Sequence, residues 1–155
     1  MLIGLLVLAA GLTLLVTQHD VNKNKQLFSS AAANSVQFPL YYPATLSKGL
    51  SLQPNSALFS TGVVTFNIYN KDANPLPVTE QAKPARFDFD SFYKNNFQVS
   101  QQFDTPVGRA SIGKLQGINV CSLVTKNTWI IVTAPDSVAT SNLPIICKGF
   151  QPLSD

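Results

Sequence analysis

The sequence predicts an α+β fold: an N-terminal membrane helix followed by a curved antiparallel sheet of five or six strands with two packed helices. Three patterns support this prediction. The N-terminus is an uncharged apolar run, several later segments alternate apolar and polar residues as half-buried strands do, and two stretches repeat apolar residues at helical spacing. The 155 residues are enough for one domain.

The composition argues against several classes of function. Charged residues make up only 12% of the chain, and the 11 basic and 8 acidic residues are scattered. We therefore expect no nucleic-acid partner and no polybasic lipid patch. Two cysteines and one histidine, with no CxxC or HxxxH pair, provide too few ligands for a structural zinc site. We expect no metal and no cofactor.

Residues 1–18 are predicted to anchor the chain in a membrane. The uncharged run Met1–Val16 would span about 24 Å as a helix, so Thr17 and Gln18 are needed at the interface to approach the bilayer core of about 30 Å. Small residues suited to signal cleavage occur only at Ala31–Ala33, too far downstream. An uncleaved signal-anchor is therefore favoured over a cleaved signal peptide or a buried core helix.

The orientation of this anchor follows from weaker signals. Lys23 and Lys25 lie after the apolar run, which taken alone would place the following domain in the cytoplasm. A missing upstream flank would explain the same pattern. We expect a single-pass protein of the cell membrane whose C-terminal domain, residues 36–155, lies outside the cytoplasm, joined to the anchor by a polar tether at 19–35.

The strands are predicted from alternation and from turn residues between apolar runs. The last of them, which carries Trp129, is the most apolar and is expected at the centre of the sheet. Two prolines make Phe38–Pro43 an edge or polyproline segment. The expected strands are Val63–Tyr69, Leu76–Gln81, Gly108–Lys114, Ile118–Lys126 and Thr128–Thr133.

Two helices are predicted from the apolar spacing. The first runs from Phe89 to about Asn96, with Asp88 as its N-cap and Phe87 packed on Phe92 as a hydrophobic staple. Its aromatic stripe is expected to face the core. The second helix carries Leu143, Ile146, Cys147 and Phe150 on one face, with a strand over Leu143–Cys147 as the alternative.

The order of these features resembles a known class. Tyr42-Pro43 precedes Leu46-Ser47-Lys48-Gly49-Leu50, Thr105-Pro106-Val107-Gly108 opens a hairpin, and Trp129 begins the last strand. This arrangement, over about residues 38–150, resembles the uncharacterised extracytoplasmic domains of bacterial envelope proteins. The resemblance implies a location outside the cytoplasm and a fold partly like the half-barrel of lipoprotein carriers. Because the function of that class is unknown, it implies no catalytic residue.

No catalytic residue is predicted from the sequence itself. His19 lies in the tether, away from any nucleophile motif. Asp88 and Asp90 form a DxD pair, but helix capping and the positive helix terminus explain both residues without a metal. Glu80 is the only glutamate, so no glycosidase-like carboxylate pair is apparent.

Two further pairs of residues are candidates for a site. Tyr41 and Tyr42, beside Pro39 and Pro43, could line a groove for an apolar ligand or an extended peptide, although most aromatic residues must belong to the core. Cys121 and Cys147 form a disulfide if the domain is exported and if the strand register points Cys121 toward the last helix. Two buried free thiols are the alternative.

Together these patterns predict a non-enzymatic, membrane-anchored extracytoplasmic domain that binds or senses an envelope protein, peptide or lipid. The alternatives are a structural subunit of a cell-surface assembly, similar to a pilin, and an unrecognised envelope hydrolase. A pilin would carry a basic leader and an early glutamate in its apolar segment, and this chain has neither.

Overall fold

The computed structural model describes residues 24–136 and 138–153, which form ten strands and three short helices. The predicted membrane helix at residues 1–18 lies outside the described residues. No helix in the described part of the chain has the length and apolarity needed to span a bilayer. The helices are α1 (Ser30–Ala33), α2 (Phe89–Asn96) and α3 (Asn142–Lys148). The strands are β1 (Tyr41–Pro43), β2 (Leu50–Ser51), β3 (Leu58–Ser60), β4 (Val63–Asn70), β5 (Ala73–Ala82), β6 (Phe97–Thr105), β7 (Gly108–Leu115), β8 (Ile118–Thr125), β9 (Thr128–Ala134) and β10 (Phe150–Pro152).

Most of the strands form one antiparallel sheet in the order β2-β4-β5-β9-β8-β7-β6. Strand β3 pairs with the same outer edge of β4 as β2 does, but at the other end of that strand. Strand β9 lies between β5 and β8, which confirms that the strand carrying Trp129 is central. The remaining strands, β1 and β10, form a separate antiparallel pair.

The predicted fold class is wrong. The described chain is mainly β, with ten strands in two antiparallel sheets rather than five or six in one. All five expected strands are present, but β6 was missed because its residues Gln98–Gln102 are exposed at the sheet edge. A strand that buries neither face shows no hydrophobic alternation. The other missed strands, β1, β2, β3 and β10, are two or three residues long, too short to show a period.

The core lies on one face of the large sheet, called the core face below. Helix α3 contacts β7, β8 and β9 there. The segment before β1 crosses the same face, because the Thr128 hydroxyl donates a hydrogen bond to the Pro39 carbonyl over 2.6 Å. The buried strand residues of this face are Val64, Phe66, Ile68, Leu76, Val78, Ala110, Ile112, Cys121, Leu123, Ile130 and Val132.

The end of the segment predicted as a tether packs into this core. Leu27 is 0% exposed and Phe28 is 7% exposed. The Phe28 ring meets the rings of Phe59 and Phe66 edge-on, with centroids 6.3 and 5.9 Å away. The side-chain amide of Asn24 donates to the carbonyl of Pro43 over 3.1 Å. The folded domain therefore includes residues from Asn24 onward.

A disulfide joins the sheet to the last helix. Cys121 of β8 and Cys147 of α3 are bonded to each other, 26 positions apart in sequence. Cys121 pairs in register with Val132, which places it on the core face beneath α3. Leu143, Ile146 and Cys147 are buried on the inner side of α3, so the helix rather than the alternative strand forms here.

Candidate ligand-binding cleft

The two tyrosines proposed as ligand contacts belong to the core. Tyr41 is 8% exposed and Tyr42 is 4% exposed, and both rings are part of the buried cluster. Neither residue lines the cavities described below. They lie in β1, which pairs with β10. The candidate site lies on the opposite face of the sheet, called the second face.

Helix α2 begins where the sequence predicts. The Asp88 carboxylate accepts a hydrogen bond from the backbone N–H of Ser91 over 2.9 Å, which confirms it as the N-cap. The Phe87 ring lies 5.4 Å from that of Phe92, which confirms the hydrophobic staple. The expectation that the aromatic stripe faces the core is wrong, because α2 lies on the second face and none of its residues is buried.

Trp129 organises the aromatic residues of this face. Its ring lies 5.4 Å from Phe87, 5.2 Å from Phe89 and 5.7 Å from Phe92, measured between centroids. Tyr93 contacts Phe89 and Phe92 at 6.2 and 5.6 Å. We call these five residues the aromatic cluster. No residue of α2 is buried, so much of the helix surface stays accessible.

A hydroxyl beneath α2 connects the helix to the sheet. The indole Nε1 of Trp129 donates to the Ser122 Oγ over 2.7 Å, and the Tyr93 hydroxyl lies 2.9 Å from the same oxygen. Ser122 is 2% exposed, so these two bonds satisfy a buried polar atom. One serine on β8 thus fixes both the indole plane and the Tyr93 ring.

A second serine lies beside the first one. Ser111 of β7 pairs directly with Ser122 of β8 and is 1% exposed. Its Oγ accepts a hydrogen bond from the side-chain amide of Gln102 over 3.0 Å. Two small residues at this position let the helix approach the sheet, and their hydroxyls extend the polar network from Trp129 toward β6.

Burial keeps the Tyr93 hydroxyl protonated. Desolvation raises the pKa of Tyr93 and the nearby charge of Asp90 raises it further, while the hydrogen bonds to Ser122 and Ser111 lower it. Desolvation is the largest of these effects, so the net direction is upward. Tyr93 therefore offers a neutral phenol to the cleft, able to donate or accept a hydrogen bond.

These residues border a cleft of about 340 Å³ between α2 and strands β6, β7 and β8, called the aromatic cleft below. Ring faces, hydroxyls, an amide and three charged groups line it together. That combination can stack against a flat or apolar body and hydrogen-bond to polar groups at the same time. Its lining residues are Lys83, Phe89, Asp90, Tyr93, Gln102, Arg109, Ser111, Val124 and Thr125.

Another cavity of about 630 Å³ lies between residues 35–38 and the β3–β4 turn. Its lining carries no charged side chain and draws its rings only from Phe38 and Phe59. A third cavity, of about 260 Å³, lies near Gln98 and Leu143 and has no aromatic lining. Neither combines rings, hydrogen-bonding groups and charge as the aromatic cleft does.

The other predicted site residues have different places. Asp88 caps α2, whereas Asp90 lines the aromatic cleft. Glu80 is buried on the core face. His19 lies outside the described residues. Within residues 24–136 and 138–153, no group of three or more His, Cys, Asp or Glu side chains could hold a metal ion.

Sequence reasoning missed Trp129, Ser122, Gln102 and Arg109 as site residues. They come from β6, β7, β8 and β9, and only the strand register brings them to one face. One signal in the sequence points to this site. The first predicted helix carries more aromatic residues than its N-cap and hydrophobic staple require.

No protein-family model matches the chain, and neither the curated proteins nor the solved structures contain a match.

Proposed function

We propose that this chain is a non-enzymatic binding or sensing domain, held at the cell membrane with its folded part outside the cytoplasm, and that the aromatic cleft is its ligand site. The observation that carries the proposal is the lining of the cleft. Ring faces of Phe89 and Tyr93 stand beside polar groups of β6 and β7, and no residue of α2 is buried.

The arrangement of α2 supports binding rather than a purely structural role. A helix that only completes a core buries its aromatic residues. Here no residue of α2 is buried, and Phe87, which precedes the N-cap, remains 38% exposed although it touches Trp129. The phenylalanine rings are held by contacts with Trp129, and Trp129 and Tyr93 are held by hydrogen bonds to Ser122. Rings held in this way lose little conformational freedom when a ligand binds. The aromatic cluster is therefore a preorganised surface.

The disulfide supports the proposed location. Disulfides persist in oxidising compartments outside the cytoplasm and are rare in reducing ones. The Cys121–Cys147 bond is buried in the core of the described domain. The apolar residues 1–18 provide the proposed attachment to the membrane.

The only tryptophan of the chain, Trp129, provides a direct test. We expect that at least one envelope component changes the Trp129 fluorescence of the full chain, held in a neutral detergent, in a saturable way. The probes are a soluble peptidoglycan fragment, a short-chain phospholipid and a set of extended tetrapeptides.

A matched pair of variants locates the binding. Phe89→Ala removes a ring from the wall of the cleft and should weaken binding. Leu58→Ala removes an exposed apolar side chain, 71% accessible on β3, and should leave binding unchanged. A flat fluorescence response to every probe, or equal weakening by the two variants, would contradict the proposed function.

A further inference from the structure

We propose that the ligand of the aromatic cleft carries an anionic group, a carboxylate or a phosphate, on a small body that stacks against Phe89 and Tyr93. This inference rests on the proposed function and specifies the chemistry of the same site. It is carried by the two cationic side chains that line the cleft, Lys83 after β5 and Arg109 on β7.

Lys83 provides the first cation. It follows β5, and its backbone N–H donates to the carbonyl of Asn127 over 2.8 Å, which fixes the main chain at the cleft. Its Nζ lies 6.0 Å from the centroid of the Phe89 ring, over the ring face. A ring face attracts an ammonium group at this distance, so the charge is held beside a ring that lines the cleft.

Arg109 provides the second cation from β7. Its Nε lies 3.8 Å from the Asp104 Oδ1, and the two side chains are 67% and 89% exposed. A contact of that length is too long for a hydrogen bond, and an ion pair so exposed to water contributes little. The guanidinium therefore retains the planar set of donors that binds a carboxylate or a phosphate through two parallel hydrogen bonds.

The remaining charge in the cleft is a single carboxylate. Asp90, in the first turn of α2, lines the cleft together with Lys83 and Arg109. Asp104, the loose partner of Arg109, does not line the cleft. Among the lining residues two cations stand against one anion, and the neutral phenol of Tyr93 does not offset this excess of positive charge. The lining is therefore complementary to one negative charge beside an uncharged body.

The size of the cleft limits that body. A volume of about 340 Å³ is at the small end of the range for ligand pockets, roughly 300 to 1,000 Å³. It suits a head group or a small organic acid. A folded macromolecule could contribute only one terminal group to it.

The test uses probes that share a body and differ in charge. The full chain, labelled with ¹⁵N in a neutral detergent, gives one indole N–H signal, from Trp129. This signal is followed during titration with 4-phenylbutyrate, 4-phenylbutanol and 4-phenylbutylamine. We expect the acid to bind roughly tenfold more tightly than the alcohol, since charge-assisted hydrogen bonds are about twice as strong as neutral ones. This preference should shrink as salt is added.

Three variants with the same change of charge identify the groups responsible. Arg109→Gln and Lys83→Gln should each remove most of the preference for the acid. Lys126→Gln, in the exposed turn between β8 and β9, should leave it intact because Lys126 does not line the cleft. All three positions are exposed, so the fold should be retained.

The outcomes separate this inference from the proposed function. Equal affinity for acid and alcohol, tighter binding of the amine, or an equal effect of Lys126→Gln would overturn the anionic class while the cleft remained a site. Both proposals fail if none of these three probes shifts the Trp129 N–H signal and none of the envelope components changes the Trp129 fluorescence.

Two supporting outcomes distinguish the source of the anion. Tighter binding of monomeric dihexanoylphosphatidylglycerol than of phenyl phosphate indicates a lipid head group. The reverse order indicates a free organic anion.

Discussion

The carboxyl group of Glu80 accepts a hydrogen bond from the backbone N–H of Tyr41 over 3.1 Å, inside the core. Glu80 is 0% exposed, and its Oε1 has no hydrogen-bond partner within the described part of the chain. Burial raises the pKa of Glu80 well above its ordinary value, and the bond from Tyr41 opposes this only in part. The carboxyl is therefore neutral at pH values where an exposed glutamate is ionised.

We expect this group to make folding stability depend on pH. The unfolded chain releases the Glu80 proton near the ordinary pKa of 4.5, whereas the folded chain retains it to higher pH. The stability contributed by the neutral carboxyl is complete below the unfolded pKa and is lost as the pH rises toward the raised folded pKa. Glu80→Gln keeps a neutral acceptor for the Tyr41 N–H and should remove this loss of stability with rising pH. Urea unfolding between pH 4.5 and 8 measures it.

Two comparison variants complete this experiment. Glu80→Ala leaves the Tyr41 N–H without its acceptor and should be less stable than Glu80→Gln at every pH. Asp72→Asn alters an exposed acid in the β4–β5 turn and should keep the pH dependence of the native chain. If Glu80→Gln declines with pH as steeply as the native chain does, the assignment to Glu80 is wrong.

The disulfide should contribute substantially to stability. In the chain-entropy account, closing a loop of 26 positions restricts the unfolded chain and so favours the folded state by about 3.5 kcal/mol. We expect Cys121→Ala combined with Cys147→Ala to lower the free energy of unfolding by about that amount in the absence of reductant. The same double variant should be insensitive to reductant, unlike the native chain. Two alkyl labels on unreduced, denatured protein, detected by intact mass, would contradict the bond.

Removing a ring from α2 should cost less than removing one from the core. Phe92 is only half-buried, so we expect Phe92→Ala to destabilise the fold by about 1 to 2 kcal/mol. Phe66 is 3% exposed on β4, so Phe66→Ala should lower the free energy of unfolding by about 3 to 5 kcal/mol. Chemical denaturation of both variants gives the comparison. Equal losses would mean that α2 is part of the core.

Ser122 should couple the position of Trp129 to stability. Ser122→Ala leaves the indole N–H and the Tyr93 hydroxyl without their shared partner, which we expect to cost about 1 to 3 kcal/mol. Hydrogen exchange of the Trp129 indole N–H should become faster. Ser60→Ala, at an exposed position of β3, should change neither quantity. Unchanged indole exchange in Ser122→Ala would show that this bond does not hold the ring.

Local patterns in the sequence predict much of this fold. Strands β4, β5 and β9 alternate because one face of each is buried, whereas the middles of β7 and β8 are buried on both faces. The turn between β7 and β8 is indicated by Gln116 and Gly117. Gln116 and Gly117 both have positive φ, 51° and 84°, as a two-residue type I′ hairpin turn requires. Asp88 and Phe87 mark the start of α2 because capping and stapling involve only neighbouring residues.

The candidate site could not be predicted in the same way. Nothing local to Ser122 indicates that Trp129 and Tyr93 share its hydroxyl, because their meeting depends on register and on which face α2 covers. Amphipathic spacing shows that a helix has an apolar side but not which side of the sheet receives it. The burial of Tyr41 and Tyr42 could not be predicted for a related reason, since prolines beside aromatic residues occur in core edges as well as in grooves.

The burial of Leu27 and Phe28 sets the limits for producing this domain as a recombinant fragment. A fragment that starts at residue 36, the boundary suggested by composition, would lack both side chains and expose the rings of Phe59 and Phe66 to water. Such material would be prone to aggregate during purification, and its failure would say nothing about the native protein. A fragment that begins before Asn24 keeps the amide that bonds to Pro43 and the two apolar residues beyond it.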